Sequence, residues 1–300
     1  MNSPSRFSNL SGIIPPLVTP LLPDGRIDTN STENLIRHVL SGGVSAVFAN
    51  GTTGEGPSLG MERRNILLQT VVQAVGGRVP VLAGIGTSSL EDTICQAVLA
   101  AGTGAAAAVC PPPTYYPLNP AETAVWFKTV ADRSPIPVFL YKIPGPCGAG
   151  LTAETAASLA AHPNIAGIKD SSGSLVNLAQ LCRIREQNDS FLVFSGPDEG
   201  LFQALASGAD GGVCSGANVN PGLFTAMYRL AKSDKNREAL RLMDEILSFS
   251  ARLYTRTDSS VRVTAGIKSE LKRMGILRHA SLSAPFAEIL EDSPSGTRAV

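Results

Sequence analysis

One unit recurs roughly every 30 residues along this chain: a short apolar run, a connection rich in Gly, Pro, Ser and Thr, and a longer stretch of helical periodicity. Eight such runs can be counted, at Ile13–Thr19, Ala46–Asn50, Pro80–Ile85, Ala106–Cys110, Pro137–Ile143, Ile165–Lys169, Phe191–Ser195 and Gly212–Ser215. Strands that alternate with helices pair in parallel, because each return crossing needs a helix. Evenly spaced units with no Gly-x-Gly-x-x-Gly after the first run favour closure into a (β/α)8 (TIM) barrel over an open doubly wound sheet.

Helix starts carry capping signals at Ser89-Leu-Glu-Asp92, Asn119-Pro120 and Asn220-Pro221. Beyond the eighth run the pattern turns to helices only, from Pro221 through Leu253 and again around Ile267–Leu277. The expected organisation is an N-terminal tail over 1–11, a catalytic barrel over 12–232, and a helical extension ending in a tail over 233–300. The end segments MNSPSR and SPSGTRAV read as frayed tails.

Composition narrows the function classes. The chain has 300 residues, 43% of them hydrophobic and only 5% aromatic, which suits a large core of small aliphatic side chains. Twenty-five basic residues balance 25 acidic ones and no basic stretch is interleaved with aromatics, so the expected partners are small molecules and not nucleic acid. No run is long and apolar enough to span a membrane and the N-terminus lacks a signal-peptide core, so a cytoplasmic protein is expected. Five cysteines, odd in number and mostly in apolar contexts, argue against a disulfide framework. None of the three histidines stands near a Cys, Asp or Glu at ligand spacing, so no transition-metal site is expected.

In a barrel the working residues sit at the C-terminal ends of strands. The sixth run ends in Gly-Ile-Lys169-Asp. Desolvation of a lysine favours the neutral amine that attacks carbonyls, although a lysine at this place also fits one that snorkels to the rim or pairs with Asp170. Tyr141, in the fifth run, carries a hydroxyl that both donates and accepts and could relay protons; alone it also fits a packing role. The second run leads into Gly51-Thr52-Thr53-Gly54-Glu55, where glycines let backbone N–H groups converge on an anion such as a carboxylate, or simply turn the chain.

Together, Gly-Thr-Thr-Gly-Glu after strand two, Tyr115-Tyr116 after strand four, Leu-Tyr-x-x-Pro-Gly in strand five and Gly-Ile-Lys-Asp in strand six resemble the N-acetylneuraminate lyase / dihydrodipicolinate synthase family. The resemblance runs from Gly12 to about Leu277. It implies a class I aldolase in which Lys169 forms an imine with pyruvate, Gly51, Thr52 and Thr53 hold the carboxylate, and Tyr141 transfers protons. It also implies that Tyr116 reaches into a neighbouring subunit's site, in a homo-oligomer built as a dimer of dimers. No cofactor is implied, because the lysine itself polarises the substrate.

Within that family the synthases carry an arginine five positions after the strand-five tyrosine, and here Pro146 stands there. Lys142, in place of the usual asparagine, neighbours Tyr141 on the strand and should point to the opposite face. Gly196-Pro-Asp198-Glu199 and Ser215 resemble the residues with which neuraminate lyases meet substrate hydroxyls, though Asp198 and Glu199 also fit an acidic pair at a helix start. Gly54-Glu-Gly-Pro-Ser-Leu59 is similar to the 2-keto-3-deoxygluconate aldolase branch. The expected reaction is therefore reversible cleavage of a 2-keto-3-deoxy sugar acid to pyruvate and an aldehyde. The alternatives are 4-hydroxy-tetrahydrodipicolinate synthase, N-acetylneuraminate lyase, a sugar-acid dehydratase and a silent sugar-acid-binding barrel. Cys147 near the site has no charged partner in sequence that would activate its thiol.

Overall fold

The computed structural model describes residues 7, 10–254 and 260–286, so both expected tails, 1–6 and 293–300, lie outside the described residues. The strands are β1 (Gly12–Ile13), β2 (Val47–Ala49), β3 (Val81–Gly84), β4 (Ala107–Cys110), β5 (Val138–Lys142), β6 (Ile165–Asp170), β7 (Leu192–Ser195) and β8 (Gly211–Gly212). They form one parallel sheet in the order β1-β8-β7-β6-β5-β4-β3-β2. The two ends of that order meet where Leu17 N donates to Phe48 O at 2.8 Å and Phe48 N donates to Pro15 O at 3.0 Å. The sheet is thus closed into the (β/α)8 barrel that the repeat predicts. β1 is shorter than its apolar run because Pro15 and Pro16 have no N–H to give to a ladder.

One helix follows each strand: α1 (Thr29–Ser41), α2 (Met61–Val75), α3 (Leu90–Thr103), α4 (Pro120–Arg133), α5 (Ala153–Ala160), α6 (Leu175–Cys182), α7 (Leu201–Ala206) and α8 (Pro221–Lys232). The capping signals act where they stand. Ser89 accepts from Asp92 N at 3.2 Å, Asn119 and Glu122 form a reciprocal capping box, and Asn220 accepts from Leu223 N at 3.2 Å. Two further helices, α9 (Asn236–Leu253) and α10 (Ser260–Arg273), make up the C-terminal extension. α9 lies along α8, with Phe224 and Phe249 edge to face at 6.3 Å. No helix among the described residues is long and apolar enough to cross a membrane.

Strand alternation sorts the apolar residues into two layers. Val47, Val81, Ala108, Leu140, Ile168 and Val193 face the helices, while Ile14, Phe48, Leu82, Phe139, Leu192 and Phe194 fill the barrel. Phe7 joins the inner layer, edge-on to Phe139 at 5.8 Å. Each buried phenylalanine contributes roughly 2 to 3 kcal/mol by leaving water, so the interior is a packed core that holds the strand ends still.

β6 breaks the alternation at one point. It pairs with β5 as Val138↔Ile165 and then Phe139↔Gly167, which makes Ala166 an extra residue. Ile165 packs in the outer layer, and without the bulge Lys169 would face outward with it. The bulge reverses the phase: Ile168 packs outward and Lys169 turns into the barrel.

Candidate active site

At the C-terminal mouth, Lys169 and Tyr141 are register partners on β6 and β5. Lys169 is 7% exposed, with Nζ 4.1 Å from the centroid of the Tyr141 ring and 5.3 Å from that of Phe48. Among the described residues it makes no ion pair. Asp170 faces away from it, its carboxylate accepting from Ser172 N and Asn177 Nδ2, both at 2.9 Å. Burial pulls the Tyr141 phenol up, but the Lys169 charge and interactions with Thr52, Ser171 and Lys169 outweigh it and leave the group below its ordinary value of 10.0. A phenol so placed can give up and recover a proton beside the amine.

Thr52 completes this group, with Oγ1 3.4 Å from the Tyr141 hydroxyl. Its loop is tightly wound: Gly51 lies so close to the Phe48 ring that a Cβ there would come within 2.7 Å, and Gly54 approaches Leu17 O as closely. Glu55 N donates to Thr52 O and Gly56 N to Gly51 O, each at 3.0 Å. Among the described residues the amides of Thr52 and Thr53 have no acceptor, which leaves two N–H donors and two hydroxyls at the mouth for an anion. Phe48, Thr52, Arg64 and Tyr141 also line a recess of about 30 Å³. That holds a water or two, so any larger ligand would have to sit in the open mouth instead.

A second group adjoins the first. Thr53 Oγ1 and Ser215 Oγ are 2.9 Å apart, and Asp198 accepts from Ser215 N at 2.9 Å, Gly216 N at 2.7 Å and the Tyr254 hydroxyl at 2.5 Å. Asp198 is buried, and burial pushes its carboxyl up to about 6 against the pull of those three donors. Its oxygens therefore fix the turn after β8. Glu199 is exposed and lines a different cavity, about 320 Å³, with Asp170, Ser195 and Gln203. Tyr116 stands on the rim, 66% exposed, its ring edge-on to that of Tyr115 at 5.0 Å.

Lys142 lies on the outer face of β5, where Nζ donates to Leu151 O at 2.7 Å. Cys147 donates to Thr114 O at 2.9 Å. Among the described residues no cluster of His, Cys, Asp or Glu is arranged to hold a metal. Sequence reasoning passed over four residues that shape the mouth: Phe48, Arg64, Tyr254 and Lys268. Phe48 had a signal, an aromatic at an inward position of strand two. Tyr254 and Lys268 had none, since each acts through a contact made by the C-terminal extension. Arg64 is buried, and desolvation lowers its guanidinium to about 10 while its Nη atoms hold Gly84 O and Gly86 O.

A sequence profile of the dihydrodipicolinate synthetase family matches residues 9–299. The chain is 39% identical over 240 residues to a 4-hydroxy-tetrahydrodipicolinate synthase from Xanthomonas axonopodis pv. citri, covering 80% of this chain and 78% of that one. It superposes with a TM-score of 0.88 on a dihydrodipicolinate synthase from Bacteroides thetaiotaomicron, 33% identical, covering 94% of this chain and 98% of the other. A prophage protein of E. coli K12 from the dihydrodipicolinic acid synthase family, solved in complex with pyruvate, gives 0.86 at 27% identity, covering 94% and 98%.

Proposed function

The chain belongs to the dihydrodipicolinate synthetase family and is a class I, Schiff-base-forming lyase, and from that premise we propose that Lys169 forms its imine with the C2 carbonyl of pyruvate or a pyruvate-derived 2-oxo acid. The observation that carries this reading is the position of Lys169 Nζ, inside the barrel mouth against Tyr141 and one residue contact from Thr52. The amine attacks C2, and loss of water from the carbinolamine leaves a protonated imine, an electron sink. In the cleavage direction Tyr141 accepts the C4 hydroxyl proton as the C3–C4 bond breaks and its electrons enter the imine to give an enamine. Protonation of C3 and hydrolysis then release pyruvate and the free amine. Thr52 and Thr53 hold the carboxylate throughout.

For the aldehyde partner we favour that of a 2-keto-3-deoxy sugar acid. Pro146 stands where the synthases carry a carboxylate-binding arginine, and Ser215 brings a hydroxyl to the mouth beside Thr53. The second reading, condensation of pyruvate with aspartate semialdehyde, is favoured by the name of the 39%-identical relative. Incubation with pyruvate and borohydride followed by peptide mapping tests the shared step: a pyruvate-sized adduct on Lys169 is expected, and its absence overturns the imine. Pyruvate release from 2-keto-3-deoxygluconate, set against condensation with aspartate semialdehyde, separates the two readings. A product that retains every carbon identifies dehydration instead.

A further inference from the structure

We propose that Lys268, in the C-terminal extension, is a positioning residue for the substrate carboxylate: by holding Glu55 it fixes the turn that presents Thr52 and Thr53. The proposal rests on the reading of that turn as the carboxylate site. Lys268 is 0% exposed, and its Nζ donates to Glu55 Oε1 and, at 2.7 Å, to Ser281 O. The other oxygen of Glu55 accepts from Ser283 N at 2.6 Å. One turn earlier on α10, Thr264 Oγ1 donates to Thr53 O at 3.2 Å. The helix therefore grips the turn at Thr53 and at Glu55, on either side of Gly54.

The turn needs such a grip. Glu55 has φ 58, a left-handed conformation that costs a non-glycine residue about 1 kcal/mol or more. Because Glu55 N closes the turn onto Thr52 O, any relaxation at Glu55 moves the Thr52 and Thr53 donors as well. Burial opposes the Lys268 charge while Glu55 favours it, so removing either partner strands the other in a dry site. A buried pair of this kind adds little net stability over an apolar pair of the same shape. What it supplies here is a fixed direction for Glu55, in a loop that Thr264, Ser215 and its own backbone bonds hold at other points.

The test compares two carbonyl probes that differ only in the feature the turn recognises. Acetone is pyruvate with a methyl group in place of the carboxylate, and either can be trapped on Lys169 with borohydride. In Lys268→Met the pyruvate concentration for half-maximal trapping should rise between about 10-fold and 100-fold, the cost of misplacing a binding group by a fraction of an ångström to an ångström. Acetone trapping should stay at the wild-type level. Thr264→Val, a smaller change that leaves the ion pair intact, should shift pyruvate in the same direction by a few-fold and serves if Lys268→Met fails to fold. Equal losses with both probes would mean that Lys268 only supports the barrel, and an unchanged pyruvate response would overturn the proposal outright. A wild-type chain that gives a Lys169 adduct with neither probe would instead remove the imine reading on which this one stands.

Discussion

The amine of Lys169 is flanked by the rings of Tyr141 and Phe48, while Asp170 is turned to the opposite face and held there by Ser172 and Asn177. An electrophile entering the mouth meets an amine and a phenol together. Lys169→Ala should therefore abolish both turnover and borohydride-trapped adduct. Tyr141→Phe should keep the adduct and slow pyruvate release about 10²- to 10⁴-fold, the usual worth of a general acid-base group. Pyruvate release at the wild-type rate by either variant would sink its assigned role. Asp198 makes a separate pH prediction. An acid whose native pKa is raised, here to about 6 from 3.8, stabilises the fold below the lower value and loses that stabilisation as pH climbs through the higher one. The stability advantage of wild type over Asp198→Asn, measured by urea unfolding, should thus shrink by up to about 3 kcal/mol between roughly pH 4 and pH 7. An advantage that grows with pH would show that the three donors outweigh burial. Lys169 and Tyr141 were candidates in sequence because each is a polar side chain in an apolar strand run, and the order of their motifs resembles the family's. The direction of Asp198 was not legible there, since it is set by the amides of Ser215 and Gly216, the first of them 17 residues further on.

Local signals translated well at the scale of elements. The caps at Ser89, Asn119 and Asn220 act as the sequence implied because each depends on residues at most three apart. The β6 bulge at Ala166 was invisible for the opposite reason: it exists only in the register against β5, and Ile165–Lys169 alone reads as plain alternation. Yet the bulge is what turns Lys169 into the barrel mouth. Gly167, its next residue, lies so close to β7 that a Cβ would come within 2.2 Å of Leu192 O, so Gly167→Ala must push the two strands apart. That substitution should cost about 1 to 3 kcal/mol, as overpacking a tight core does, and should slow adduct formation on Lys169 two residues on. Unchanged unfolding and unchanged trapping kinetics would show that β6 can shift without moving its lysine. The grip of α10 on the Thr53–Glu55 turn was likewise illegible, because nothing in the periodicity of a late amphipathic helix says which strand end it will meet.

For the molecule as a whole, the two most exposed aromatic side chains, Tyr115 at 77% and Tyr116 at 66%, stand together beside the mouth after β4. Aromatic rings left in water at a site's edge suit a surface that a partner covers. We propose that the partner is a second copy of this chain and that Tyr116 enters the neighbour's site. A symmetric dimer then exchanges the tyrosines reciprocally, so that each site joins Lys169 of one protomer to Tyr116 of the other. Single substitution tests this only weakly, since Tyr116→Phe should lower activity whichever site the residue serves. Mixing does better. When Lys169→Ala and Tyr116→Phe chains are dissociated and reassociated together, a mixed dimer contains one site with both defects and one with neither. Random reassociation makes half of the dimers mixed, so about a quarter of all sites should be restored to wild-type activity. If Tyr116 serves its own subunit, every site in the mixture carries one defect, and activity should never exceed the average of the two parents.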